Sequence, residues 1–205
     1  MKLTIEHGII PRQRFQRVLR WSQRLLWIAG AFALGYVGST LLDASLYQAS
    51  AKRSLETQVQ VEREPYEIHS KPAIQTGDLL GRLDIPRLGM SIAVLQGTNS
   101  RMLRRGAGHI ENTPLPGEPG NSGIAAHRDT FFRGLKDIRK DDEIQFQAPT
   151  GLFRYAVDWA KVVEPNDTTA LEPSTLESTL TLVTCYPFYF VGPAPKRFVV
   201  RAHQQ

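Results

Sequence analysis

The stretch Glu143-Ile144-Gln145-Phe146-Gln147-Ala148-Pro149-Thr150-Gly151-Leu152-Phe153-Arg154-Tyr155-Ala156-Val157-Asp158-Trp159 consists of two alternating runs around a break. Ile144 and Phe146 share one face of the first run. Phe153, Tyr155, Val157 and Trp159 share one face of the second. Side chains on a strand point to opposite faces in turn, so each run predicts a half-buried strand. Pro149-Thr150-Gly151 supplies the turn, and the pair reads as a hairpin. Upstream, Leu79-Leu80-Gly81-Arg82-Leu83-Asp84-Ile85 and Met90-Ser91-Ile92-Ala93-Val94-Leu95 flank Pro86-Arg87-Leu88-Gly89 and predict a second hairpin. Gly123-Ile124-Ala125-Ala126-His127 predicts a short buried strand ending at the histidine. Residues 180–185 and 197–202 predict the last two strands. Residues 100–105 read as one helical turn, and residues 130–137 as a short helix with Thr130 or Asp129 as cap. Residues 111–121 and 164–178, with their prolines, read as loops. Seven or eight short strands in about 130 residues predict an all-β chain closed, or nearly closed, into a barrel.

The net charge of +5 would suit a nucleic-acid binder, but its distribution excludes that class. Residues 1–24 hold six Lys/Arg and one acid, Glu6. The other 181 residues hold 19 basic and 19 acidic side chains and are neutral. The basic segment precedes residues 25–42, eighteen residues without a charge, about the minimum that spans a bilayer. Arginines before an apolar span keep the N-terminus in the cytoplasm and send the rest outside. We therefore expect a cytoplasmic segment at 1–24, a single-pass signal-anchor at 25–42, a helix and tether at 43–75 and an extracytoplasmic barrel at 76–205. Ala44-Ser45-Leu46 and Ala49-Ser50-Ala51 resemble cleavage sites, so a removed signal peptide is the alternative.

The chain has one cysteine, Cys185, in Thr181-Leu182-Val183-Thr184-Cys185-Tyr186-Pro187-Phe188. Outside the cytoplasm paired cysteines become disulfides; a lone one is a buried small hydrophobe or a thiol kept for its chemistry. Proline cannot continue a central ladder, so Pro187 ends the strand and leaves the thiol at an edge. A thiol attacks as the thiolate and needs a base or cation nearby. His127 ends one apolar strand and opens a polar loop, where it can serve as the acid for a leaving amine. His109 is the weaker competitor. Arg197 starts the last strand and offers a permanent charge with several donors, suited to an oxyanion; Arg201 is the alternative.

Thr181-Leu182-Val183-Thr184-Cys185 resembles the Thr-Leu-x-Thr-Cys signature of sortases, membrane-anchored cysteine transpeptidases. Ala126-His127-Arg128-Asp129-Thr130-Phe131-Phe132 and the segment from Tyr186 to Phe198 resemble class D members most. The resemblance covers about residues 76–203 and implies an eight-stranded sortase barrel with one or two short helices. It implies Cys185 as nucleophile, His127 as its imidazole partner and Arg197 as the residue positioning substrate and oxyanion. It implies cleavage of a Leu-Pro-x-Thr-Gly-type C-terminal sorting signal after Thr, through a thioester. The partners are then secreted proteins bearing that signal and an amine on a peptidoglycan precursor. Activity bell-shaped in pH follows from the coupled titration of thiol and imidazole. Thr184, Tyr186 and Phe188 are the expected substrate-binding residues.

No cofactor is expected. Some sortases bind Ca²⁺ through acidic residues in two loops. Glu111, Glu118, Asp167 and Glu172 lie in the corresponding regions without metal-motif spacing, and we read them as solvated loop charges. Pilin-polymerising members carry an Asp-Pro-aromatic lid; residues 43–75 contain no Asp-Pro, which favours protein anchoring. The competing readings are a cysteine peptidase that only hydrolyses and a membrane-tethered barrel that binds peptides without catalysis.

Overall fold

The computed structural model describes residues 20–38, 46, 74–173, 177–190 and 192–205. The chain divides at residue 43 into two compact units. The first contains helix α1, residues 20–38, whose Leu25, Leu26, Trp27, Ile28, Phe32 and Leu34 are all exposed. No helix among the described residues is long and apolar enough to cross a membrane. The described helix carries Arg20 and Arg24, whereas residues 39–42 of the expected span lie outside the described residues. So does most of the expected tether at 43–75.

The second unit is a closed barrel of eight strands in the order β1-β2-β3-β4-β7-β8-β6-β5. The strands are β1 (Leu79–Ile85), β2 (Met90–Gln96), β3 (Ala107–His109), β4 (Gly120–Ala125), β5 (Glu143–Ala148), β6 (Gly151–Val163), β7 (Ser178–Tyr186) and β8 (Lys196–Gln204). A short helix, α2 (Ser100–Arg105), precedes β3. Its first turn is capped by Asn99, whose side-chain oxygen accepts from the amides of Arg101 and Met102. Both expected hairpins form, β1–β2 and β5–β6, and β1 pairs with β5 to close the ring. Two neighbours are parallel, β2 with β3 and β4 with β7. Closure leaves no free sheet edge.

The alternation in β5 and β6 sends Ile144, Phe146, Tyr155 and Val157 inward. They meet Leu83, Ile85, Ile92, Val94, Ile124, Leu180, Leu182 and Val200 in one core. Phe132 and Leu135 close it from the connection after β4. The Tyr155 hydroxyl accepts from the Gly117 amide at 2.8 Å, and burial raises its pKa to about 12. The β1–β2 turn is a 3-10 turn, Pro86–Leu88. From it Arg87 pairs with the buried Asp142 and donates to the Asp137 carbonyl at 2.6 Å, fastening this turn to the start of β5. The Arg87 guanidinium holds the Asp142 carboxyl below the usual carboxylate range.

Several local expectations change. Residues 107–109 form a strand that no alternation announces, because three residues are too few to establish a period of two. β4 starts at Gly120, three residues early, and stops at Ala125, so His127 lies just beyond the strand rather than on it. The expected helix at 130–137 is a 3-10 turn at Arg133–Asp137, with Phe132 at its cap and no side-chain cap bond.

His109, the weaker histidine candidate, is 2% exposed and belongs to the scaffold. Its Nδ1 pairs with the Gln96 side chain at 2.9 Å, and its Nε2 donates to the Pro114 carbonyl at 2.9 Å. Burial lowers its pKa, opposed in part by the Pro114 carbonyl. The unfolded chain therefore takes up a proton here at higher pH than the folded chain does. Stability should fall as pH drops below about 6.5, the unfolded value. His109→Gln should flatten that decline between pH 7 and 5 in denaturant titrations. An unchanged slope would contradict the assignment.

Candidate active site

Register brings the three chemical candidates to one end of the barrel. In the parallel pair β4–β7, Ala125 lies opposite Val183. Two residues further on are His127 and Cys185. In the antiparallel pair β7–β8, Cys185 lies opposite Arg197. Directly opposed residues share a face, with Cβ atoms about 4.5–5.5 Å apart. The order across this edge is therefore His127, Cys185, Arg197. His127 is exposed, and Cys185 and Arg197 are half-buried. Cys185 is a free thiol.

The thiol is on the outer face. Leu180 and Leu182 enter the core, so Thr181, Val183 and Cys185 point the other way. The deep part of this outer face is covered. The Thr181 hydroxyl donates to Asn121 Oδ1 at 2.7 Å, and Arg201 Nη1 donates to the Ala170 carbonyl at 3.0 Å. A 3-10 turn, Thr169–Leu171, lies here. A Cβ at position 123 would lie 3.0 Å from the side-chain ends of both Ile110 and Leu171, so glycine lets these side chains close over the strand without shifting. Towards the strand ends the cover stops, and Ala125, Val183 and Cys185 become half-exposed. Arg201 is thus spent on the covering turn, and Arg197 is the arginine at the open edge.

Both Arg197 bonds are made by Nη1, to the carbonyls of Lys196 at 3.1 Å and Ala194 at 3.4 Å. Nε and Nη2 have no partner among the described residues. Thr184 is 3% exposed, and its hydroxyl donates to the Ala126 carbonyl at 2.7 Å. With the Ala126 amide on the Val183 carbonyl at 3.3 Å, it braces the end of β4 against β7 beneath the candidate residues. Its side chain is therefore placed for support rather than for contact with a ligand. Tyr186, Phe188 and Phe198 form an aromatic cluster, with centroids 5.2 Å apart for Phe188 and Phe198 and 6.0 Å for Tyr186 and Phe188. Phe188 packs on the core, and Tyr189 and Phe190 project into solvent.

The loop carboxylates are engaged one at a time. Glu111 accepts from the Thr76 hydroxyl, Glu118 from the Leu115 amide, and Asp167 from Thr169. Glu172 contributes its backbone carbonyl to Asn121. Among the described residues no three potential ligands converge.

The family model described as Sortase domain matches residues 83–205. The chain belongs to the sortase family. It is 32% identical over 183 residues to Sortase D of Bacillus subtilis, covering 84% of this chain and 91% of that protein. The Clostridium perfringens Sortase D5 transpeptidase has a similar structure, with a TM-score of 0.63 at 28% identity over 80% of this chain and 98% of its own. A Clostridium perfringens sortase C with a C-terminal cell wall sorting motif gives 0.61 at 25% identity, over 78% and 88%. Sortases are cysteine transpeptidases of the cell envelope. The single cysteine of this sortase, Cys185, lies at the open edge.

Sequence reasoning passed over Arg128. It is 9% exposed, and its Nη2 donates to the carbonyls of Phe190 at 2.7 Å and Gly192 at 3.0 Å. Its position beside His127 was the available signal. A charged residue between the exposed His127 and Asp129 gave no indication of which way it turns.

Proposed function

We propose that this sortase cleaves a Leu-Pro-x-Thr-Gly-like C-terminal sorting signal after Thr and transfers the protein to an amine acceptor of the cell envelope. The observation that carries the reading is the shared edge of Cys185, His127 and Arg197 in a sortase barrel. The Cys185 thiolate attacks the Thr carbonyl carbon, and Arg197 donates to the oxyanion through Nε and Nη2. The oxyanion collapses, the Thr–Gly bond breaks, and His127 protonates the departing amine. The Cys185 thioester remains. An acceptor amine then attacks the thioester carbonyl, His127 takes its proton, and the thiolate leaves. A peptidoglycan precursor is the acceptor that supplies such an amine in a wall.

The related sortase C with a cell wall sorting motif supports the substrate class. Tyr186 and the exposed aromatic residues beyond it supply apolar surface for the signal's Leu-Pro. Membrane attachment at 25–42, N-terminus inside, is supported by eighteen uncharged residues behind a basic segment and by the exposed apolar side chains of α1. The test is to incubate residues 50–205 with a library of Leu-Pro-x-Thr-Gly/Ala peptides, with and without an amine. Products joined to the amine are expected and would name the signal. Hydrolysis alone would replace the transferase by a peptidase, and no turnover would reject the function.

A further inference from the structure

The guanidinium of Arg128 spans the two connections that carry the reactive residues. Its backbone follows His127 directly. Its Nη2 alone ends on the carbonyls of Phe190 and Gly192, in the connection between Cys185 and Arg197. The charge also lies 5.8 Å from the centre of the Phe190 ring. That connection has limited apolar anchorage beyond Phe188. Tyr189 is 72% exposed and Phe190 45% exposed. Lys136, in the 3-10 turn after His127, pairs with Asp137 at 3.0 Å.

Arg128 Nη1 is buried and has no hydrogen-bond partner among the described residues. A buried donor left unpaired opposes folding, and an apolar side chain would fill the space without that penalty. What the apolar side chain lacks is a donor pair for two loop carbonyls. We propose that Arg128 is a positioning residue: it holds the Phe190 and Gly192 turn beside the Cys185 edge, and so sets the wall that the donor peptide meets. This rests on the transpeptidase reading above. It assigns Arg128 to peptide binding, acting through the loop, and leaves the thiol–imidazole pair to do the chemistry.

Two variants test it. Arg128→Lys keeps the charge, but its ammonium ends one bond short of the Nη2 position and loses both loop carbonyls. Gly192→Ala leaves Arg128 and the barrel untouched. Position 192 has φ +105°, a conformation that alanine resists, and a Cβ there would meet only the Phe190 ring at an ordinary 3.9 Å, so the substitution acts by turning the carbonyl away. In each variant KM for a Leu-Pro-x-Thr-Gly peptide should rise about ten-fold while kcat stays within about three-fold. The pH–rate midpoints should stay in place. Backbone amides of Tyr189, Phe190 and Gly192 should exchange faster with deuterium than in the wild type. Unchanged KM in folded variants, or unchanged exchange, would overturn the proposal. Displaced pH midpoints would overturn it too, because they would mean that the substitutions reach the reacting pair itself and not the loop alone. If Arg128→Lys does not fold, Gly192→Ala decides alone. Should the wild type form no thioester, the function falls, and the exchange measurement still judges the tie.

Discussion

Cys185→Ala is expected to lose cleavage and transfer together, with rates down by at least about 10³-fold. The sulfur is half-exposed, at a strand end, with support coming from Thr184 and the β4–β7 register rather than from the thiol itself. Its removal leaves no cavity in the core. Stability should therefore stay within about 0.5 kcal/mol of wild type. Denaturant titration and a peptide-cleavage assay on the same preparation separate the two effects. Cleavage retained in a folded Cys185→Ala protein would mean that another group attacks the peptide.

Arg197→Lys is expected to lower kcat/KM about 10²-fold with a small change in stability. Lysine keeps the charge. It replaces a planar fork by one ammonium, and cannot both bond the loop carbonyls at 194 and 196 and present two donors to an oxyanion. The bonds that it would disturb lie at the rim, and no core side chain depends on them. Turnover at the wild-type rate would remove Arg197 from the mechanism. Arg201 is the internal control: its guanidinium is bonded to the Ala170 carbonyl. Arg201→Lys should act on stability through the covering turn and much less on rate.

The parts of this molecule visible in its sequence are those whose signal is local. Strands β5 and β6 alternate over enough residues to announce themselves, and Tyr186-Pro187 marks the end of β7. That is why Cys185 reads as an edge thiol before any fold is known. β3 is too short and too rich in small residues for its pairing to be seen. The parallel β4–β7 pair links residues nearly sixty positions apart, and only that pairing brings His127 level with Cys185. Thr184 looks like a binding residue because it neighbours the thiol. Alternation turns it inward, where its hydroxyl goes to Ala126. Arg128 is the converse case: the sequence pattern assigns it nothing, and it is buried against carbonyls from the connection after β7. Whether a polar side chain faces a ligand, a core or another loop is settled by long-range packing, which local patterns do not carry.

The central claim is that the thiol of Cys185 becomes the acyl carrier. The most direct measurement is the intact mass of residues 50–205, quenched in acid seconds after mixing with a Leu-Pro-x-Thr-Gly peptide without acceptor. A mass increase equal to the peptide up to its Thr is expected, mapped to Cys185 by digestion and removed on adding an amine. Steady cleavage of the peptide with no adduct on Cys185 at any time would contradict it.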